Sequence, residues 1–145
     1  MKPFLLLGTR GEDAAADNEY DAFLGFTGLE ESLLRRVRLE RRPMGTVVLD
    51  DWSGIFLGGG PFNASDPEDA KSTVQKRVET ELGRLLDEVV ARDFPFLGAC
   101  YGIGLIGTHE GGTVDRAYAE PISRVRVTLT EQGRDDPLLA DLPTE

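Results

Sequence analysis

Phe94-Pro95-Phe96-Leu97-Gly98-Ala99-Cys100-Tyr101-Gly102 holds the pattern on which the fold turns. Its apolar first half has the length and composition of a buried strand, and from Gly102 onward the chain reads as a helix. Between them stands a Gly-x-Cys-x-Gly pentapeptide. A nucleophile at such a strand-to-helix elbow is forced into a strained backbone conformation, and small neighbours make room for it. The turn lifts the side chain above the carboxyl ends of the strands, where open α/β sheets bind ligands. The following helix directs its positive end at the sulfur and so favours the anionic, nucleophilic form of a thiol. The competing reading is a buried structural cysteine beside two incidental glycines, since cysteine is commonly buried.

Upstream, Gly54-Ile55-Phe56-Leu57 is a second compact apolar strand, running into Gly58-Gly59-Gly60-Pro61. Ser65-Asp66-Pro67-Glu68-Asp69 reads as a helix start, with Asp66 as cap and Pro67 in the first turn. Val74, Val78, Leu82, Leu85, Leu86, Val89 and Val90 then recur at helical spacing to a helix end near Ala91. Further back, Phe4 to Leu7 ends at Gly8 as another buried strand. Thr9 to Asn18 reads as a loop, Glu19 to Phe26 as a short helix, and Val37 to Leu39 with Val47 to Leu49 as a second strand and connector. Downstream of Gly111-Gly112, the alternation from Arg124 to Thr130 predicts a half-exposed antiparallel or edge strand. Apolar strands alternating with helices imply βαβ units around a parallel sheet. With no repeat, linker or low-complexity stretch, residues 1–145 read as a single α/β domain.

The glycine run ends a buried strand, so it shares the sheet's carboxyl rim with Cys100. Glycines there can turn backbone N–H groups toward a developing oxyanion, often the largest single catalytic contribution. The alternatives are a tight turn or a phosphate loop, but the run lacks a Gly-Lys-Ser/Thr ending and dinucleotide-fingerprint spacing.

The composition, 40% hydrophobic and 29% charged over 145 residues, fits a globular domain with a sizeable core. A formal charge of −10 opposes phosphate backbones and anionic lipid, so neither nucleic acid nor membrane is expected as a partner. The basic run Arg35, Arg36, Arg38, Arg41 and Arg42 is read as a solvated strand-and-turn surface. One cysteine and one histidine allow no internal disulfide and supply too few soft ligands for zinc, so no metal or cofactor is expected. The apolar run after Met1 is too short for a signal peptide or a membrane span, and a cytoplasmic location is the expectation.

Asp51 to Pro61, followed by Phe96 to Gly104, resembles the class I glutamine amidotransferases, the group that includes the glutaminase parts of GMP synthetase, anthranilate synthase and carbamoyl phosphate synthetase. Gly111-Gly112-Thr113-Val114 and Asp136 to Pro143 are similar to later stretches of that family, in the family's order. The resemblance implies a three-layer, flavodoxin-like α/β fold with a central, mostly parallel sheet. It implies that Cys100 attacks the side-chain amide of glutamine to give a glutamyl thioester and ammonia. Gly60 and Tyr101 would supply the oxyanion-hole N–H groups, and Gly59, Pro61 and Gly102 would contact the substrate. Water then releases glutamate, and ammonia passes to an acceptor held by a synthetase domain or subunit.

Two positions depart from the family. Where many members carry a glutamine two residues after the second elbow glycine, this chain has Gly104, which leaves room for another γ-glutamyl or amide substrate. Members also carry a His-x-Glu pair well downstream, and the sequence reaches Glu145 without one. The single histidine, His109, would lie roughly 13 Å along a continuing helix from Cys100, beyond the hydrogen-bond reach a base needs. The expectation is that the 145 residues are the N-terminal portion of a longer domain whose C-terminal segment carries the base. Three functions follow: a glutamine amidotransferase or glutaminase, a γ-glutamyl peptidase-type cysteine hydrolase, and a non-catalytic regulatory or interaction protein that has lost the triad.

Overall fold

A computed structural model describes residues 1–115, 117, 123–124 and 126–143. The chain divides into two compact units, Met1–Val114 and Asp115–Glu145.

In the first unit, strands β1 (Phe4–Gly8), β2 (Leu34–Arg38), β3 (Gly54–Leu57) and β4 (Phe96–Gly98) form one sheet in the order β2-β1-β3-β4. All three pairings are parallel, with Leu7 opposite both Val37 and Leu57, and Leu57 opposite Gly98. Helices α1 (Asp13–Thr27), α2 (Thr73–Ala91) and α3 (Tyr101–His109) complete the unit. Alternation along the strands sorts side chains onto the two faces of the sheet. Leu5, Leu7, Ile55 and Leu57 join Val78, Leu82, Leu85 and Val89 of α2 in the main core. Phe56, on the other face, packs between Phe4 and Phe23 of α1, with ring centroids 5.4 and 5.1 Å apart. The result is a three-layer α/β fold, and its strand order is that of the first four strands of a flavodoxin-like sheet.

The helix starts differ from the sequence expectation. Helix α1 begins at Asp13, six residues before Glu19, because Ala14-Ala15-Ala16 are strong helix formers despite their small size. It ends where Gly28 takes a left-handed conformation and donates to Leu24 O at 3.0 Å. Helix α2 begins at Thr73 rather than near Pro67. Pro67 instead opens a turn closed by Ala70 N–H, and Ser72 Oγ caps the helix by accepting from Gln75 N–H at 3.1 Å.

The basic run is largely paired. Arg36 binds Asp17 and the carbonyl of Ala16, and its guanidinium lies 4.9 Å from the Tyr20 ring centre. Arg38 reaches Asp13 and Glu40, and Arg41 also reaches Asp13. These contacts fasten β2 to the first turns of α1.

In the second unit, the strand expected from Arg124 to Thr130 does not form among the described residues; Val125 lies outside them. Alternation gives a strand only where a partner edge accepts its ladder, and here Thr130 caps helix α4 (Glu131–Asp135) by accepting from Gly133 N–H at 3.1 Å. Turns at Asp136–Leu139 and Leu139–Leu142 follow.

Candidate active site

Cys100 occupies the N-cap position of α3 with φ 54° and ψ −106°, and is one of two non-glycine residues with positive φ among those described. The elbow is tied at both ends: Ala99 N–H donates to Leu57 O at 2.9 Å and Gly102 N–H to Ala99 O at 3.0 Å. Both flanking glycines are enforced by close approach. A Cβ on Gly98 would stand 2.6 Å from the carbonyl carbon of Gly102, and one on Gly102 would stand 2.8 Å from Leu57 O. The Cys100 side chain is exposed above the rim.

The glycine run lies alongside. Gly58 N–H continues the sheet by donating to Leu7 O at 2.9 Å, and Gly59 N–H donates to Glu19 Oε1 at 2.8 Å. Thr9 Oγ1 donates to Gly59 O at 3.1 Å. A Cβ on Gly59 would come 3.1 Å from Cys100 Cβ and 3.3 Å from its Sγ, while one on Gly60 would overlap Thr9 Oγ1. Among the described residues, neither Gly60 N–H nor Tyr101 N–H donates to a protein acceptor. Two unpartnered donors therefore belong to the two segments that meet at Cys100.

Pro61 is exposed at the end of the run, whereas Gly102 is buried against β3. The Tyr101 side chain turns inward and meets Phe62 edge-on, with ring centroids 5.8 Å apart. Its phenol is buried without a hydrogen-bond partner, and that burial pushes its pKa up, with the Glu79 charge adding to the effect. Gly104 faces Ala64: a Cβ on the glycine would come 3.2 Å from Ala64 Cβ.

His109 stands in the last turn of α3, with Nε2 3.4 Å from Asp87 Oδ1 of α2. It therefore sits at the opposite end of that helix from Cys100, as the helical rise requires. Among the described residues, no group of three or more His, Cys, Asp or Glu side chains is gathered to hold a metal ion, and no helix is long and apolar enough to cross a membrane.

The sequence reading missed Thr9, Arg10 and Glu19. Thr9 and Arg10 immediately follow the first apolar strand, at the rim where this fold class places its sites, so their position was a usable signal. Glu19 gave none, because its reach to Gly59 depends on where α1 begins.

No protein-family model matches the chain. It is 29% identical over 143 residues to the glutamine-hydrolysing GMP synthase of Exiguobacterium sibiricum, which covers 92% of this chain and 25% of that enzyme. It is 32% identical over 93 residues to the same enzyme of Listeria monocytogenes, covering 64% of this chain and 15% of the relative. The chain thus spans a quarter or less of the length of these curated relatives. Among solved structures, SMU.1228c superposes with a TM-score of 0.71 over 99% of this chain and 58% of that one, at 21% identity. A glutamine amidotransferase from Methylobacillus flagellatus superposes with a TM-score of 0.54 over 77% of this chain and 39% of that one, also at 21% identity.

Proposed function

We propose that this chain, which belongs to the class I glutamine amidotransferase family, is the N-terminal, nucleophile-bearing portion of an enzyme that releases ammonia from glutamine. The observation that carries the reading is the positive-φ elbow at Cys100, set beside a glycine run and two unpartnered N–H groups.

In this reading the Cys100 sulfur adds to the side-chain carbonyl carbon of glutamine. The charge that develops on oxygen is met by the N–H groups of Gly60 and Tyr101. The C–N bond then breaks, the nitrogen takes a proton and leaves as ammonia, and a thioester remains. Water adds to the thioester, releasing glutamate and restoring the thiol. Gly59 and Pro61 border the substrate, with Gly102 buried behind the elbow. His109 is not the base in this reading, because it stands at the far end of α3 from Cys100; that role falls to a His-x-Glu pair of the kind the family carries. The ammonia goes to an acceptor on a synthetase domain or subunit, and the enzyme works in the cytoplasm.

The test is ammonia release from glutamine by the full-length protein. Cys100→Ser should abolish it, and His109→Ala should leave it unchanged. The 145-residue chain alone should show no steady turnover, since a triad acts as a unit and losing one member costs several orders of magnitude. Multiple turnover by the short chain, lost on His109→Ala, would overturn the assignment of the base.

Gly104 favours a second reading. That position has no side chain to orient glutamine, and one added there would press its Cβ to 3.2 Å from Ala64 Cβ. A γ-glutamyl peptidase-type hydrolase would use the same nucleophile on a different leaving group. Release of an arylamine from a γ-glutamyl anilide, faster than ammonia from glutamine, would select it.

A further inference from the structure

The glycine run beside Cys100 is held from behind by residues with no place in the chemistry above. Glu19 is 11% exposed, and its carboxylate lies over the carboxyl ends of both β1 and β3. One oxygen, Oε1, accepts from Gly59 N–H at 2.8 Å and from Arg10 Nε at 2.9 Å. The other, Oε2, fills the space a Cβ would take on Gly58, at 2.5 Å. Arg10 supplies the positive charge that a largely buried carboxylate needs, and a backbone N–H bound to an ionised acceptor is held more firmly than one bound to a neutral one. Thr9, fully buried, donates its hydroxyl to Gly59 O at 3.1 Å.

These bonds grip the peptides on both sides of Gly59. Glu19 holds the Gly58–Gly59 peptide by its N–H, and Thr9 holds the Gly59–Gly60 peptide by its carbonyl. In a planar trans peptide the C=O and N–H point in opposite directions. Fixing Gly59 O on Thr9 therefore fixes Gly60 N–H pointing away from Thr9. Leu7 O takes the Gly58 donor and Glu19 takes the Gly59 donor, so Gly60 N–H is the donor left free in the run.

We propose that Thr9 and Glu19 are positioning residues that orient the glycine run so that Gly60 N–H is presented to an oxyanion formed at Cys100. The proposal rests on the nucleophile reading above, and its test does not need glutamine. Acylation of Cys100 by p-nitrophenyl acetate passes through a tetrahedral oxyanion. Alkylation by iodoacetamide is a direct displacement and forms none. Both products are counted on the full-length protein by mass spectrometry. Thr9→Val and Glu19→Ala should each slow acylation about tenfold or more while leaving alkylation within about twofold, since a single oxyanion donor can be worth more than that. Glu19→Gln keeps an oxygen acceptor for Gly59 N–H and should retain most of the acylation rate. Thr9→Val is nearly isosteric and guards against loss of folding in Glu19→Ala. Unchanged acylation in both variants, or acylation and alkylation falling together, would overturn the proposal. If instead the unaltered protein acylates normally but never releases ammonia from glutamine, the proposed function fails and this inference stands.

Discussion

Gly59 stands against Cys100 so closely that a Cβ on the glycine would lie 3.1 Å from the cysteine Cβ and 3.3 Å from its sulfur. Two segments 41 residues apart are brought together because β3 and β4 are hydrogen-bonded neighbours, with Leu57 opposite Gly98, and both exit at the same rim. The same added carbon would come 2.8 Å from Arg10 Nη2, so the guanidinium and the thiol border one face of Gly59.

Gly59→Ala should leave the fold intact and damage the site. The Arg10 guanidinium is the end of a flexible side chain and can move aside, but Cys100 is fixed by its turn and must shift by a few tenths of an ångström. A displacement that small at a reacting centre can matter greatly, so thiol acylation by p-nitrophenyl acetate should fall about tenfold or more. Melting temperature and acylation rate should be measured on the same samples. A normal rate in Gly59→Ala would show that the glycine run does not take part in acylation.

Gly102→Ala should act on stability instead. The new methyl would meet Leu57 O at 2.8 Å and Leu57 Cγ at 3.2 Å, inside the packed contact between α3 and β3. Leu57 O is also the acceptor of Ala99 N–H, so the backbone cannot retreat without loosening the elbow. Overpacking of this kind costs about 1–3 kcal/mol, a fall of several degrees in Tm at this chain length. An unchanged thermal transition would mean that α3 sits further from the sheet than described.

Much of this was legible in the sequence. Gly54–Leu57 forms the expected strand to the residue, because a short apolar run, Ile55-Phe56-Leu57, before a glycine run has few other stable arrangements. The end of α2 at Ala91 was equally plain from the spacing of its apolar positions. Its start was not, since Asp66-Pro67 suits a turn as well as a helix, and only the Ser72 cap decides between them. The pairing of the basic run was invisible for a related reason: Arg36 and Arg38 meet Asp17 and Asp13 only because α1 begins early. Cys100 and the glycine run could be found from local pattern. Their support by Glu19 could not, because that contact spans 40 residues.

Acid should release the ties between β2 and α1. The hydrogen bond from Arg38, helped by the charge of Arg41, holds the Asp13 carboxyl below its ordinary value of 3.8. A carboxylate depressed in the folded state stabilises the fold above its unfolded pKa, and that contribution is lost as pH falls through the folded value. Asp13→Asn should therefore melt below the unaltered protein at neutral pH, with the gap narrowing below about pH 4. The side chain is exposed, so added salt should also shrink the gap. A gap that widens in acid would contradict the pairing.

Cys100 itself should be the place where stability is given up for chemistry. Its φ of 54° with ψ of −106° lies in a region that glycine enters readily and a residue with a Cβ does not. Such strain costs of order 1–3 kcal/mol and persists only where the surroundings enforce it, here through the bonds of Ala99 and Gly102 and the crowding at Gly98. Replacing the cysteine by glycine removes the strain but adds freedom to the unfolded chain, a loss of about 0.5–1 kcal/mol. Replacing it by alanine keeps the Cβ and hence the strain, and because the side chain is exposed it sacrifices little packing. Cys100→Gly should thus be more stable than Cys100→Ala by about 1 kcal/mol, or roughly 2–4 °C in Tm at this chain length. Both variants should be inactive toward every acyl donor. Thermal unfolding of the pair under one buffer measures the difference directly. If Cys100→Ala proves as stable as Cys100→Gly, the elbow is not strained, and the positive φ at Cys100 cannot be read as a conformation maintained for catalysis.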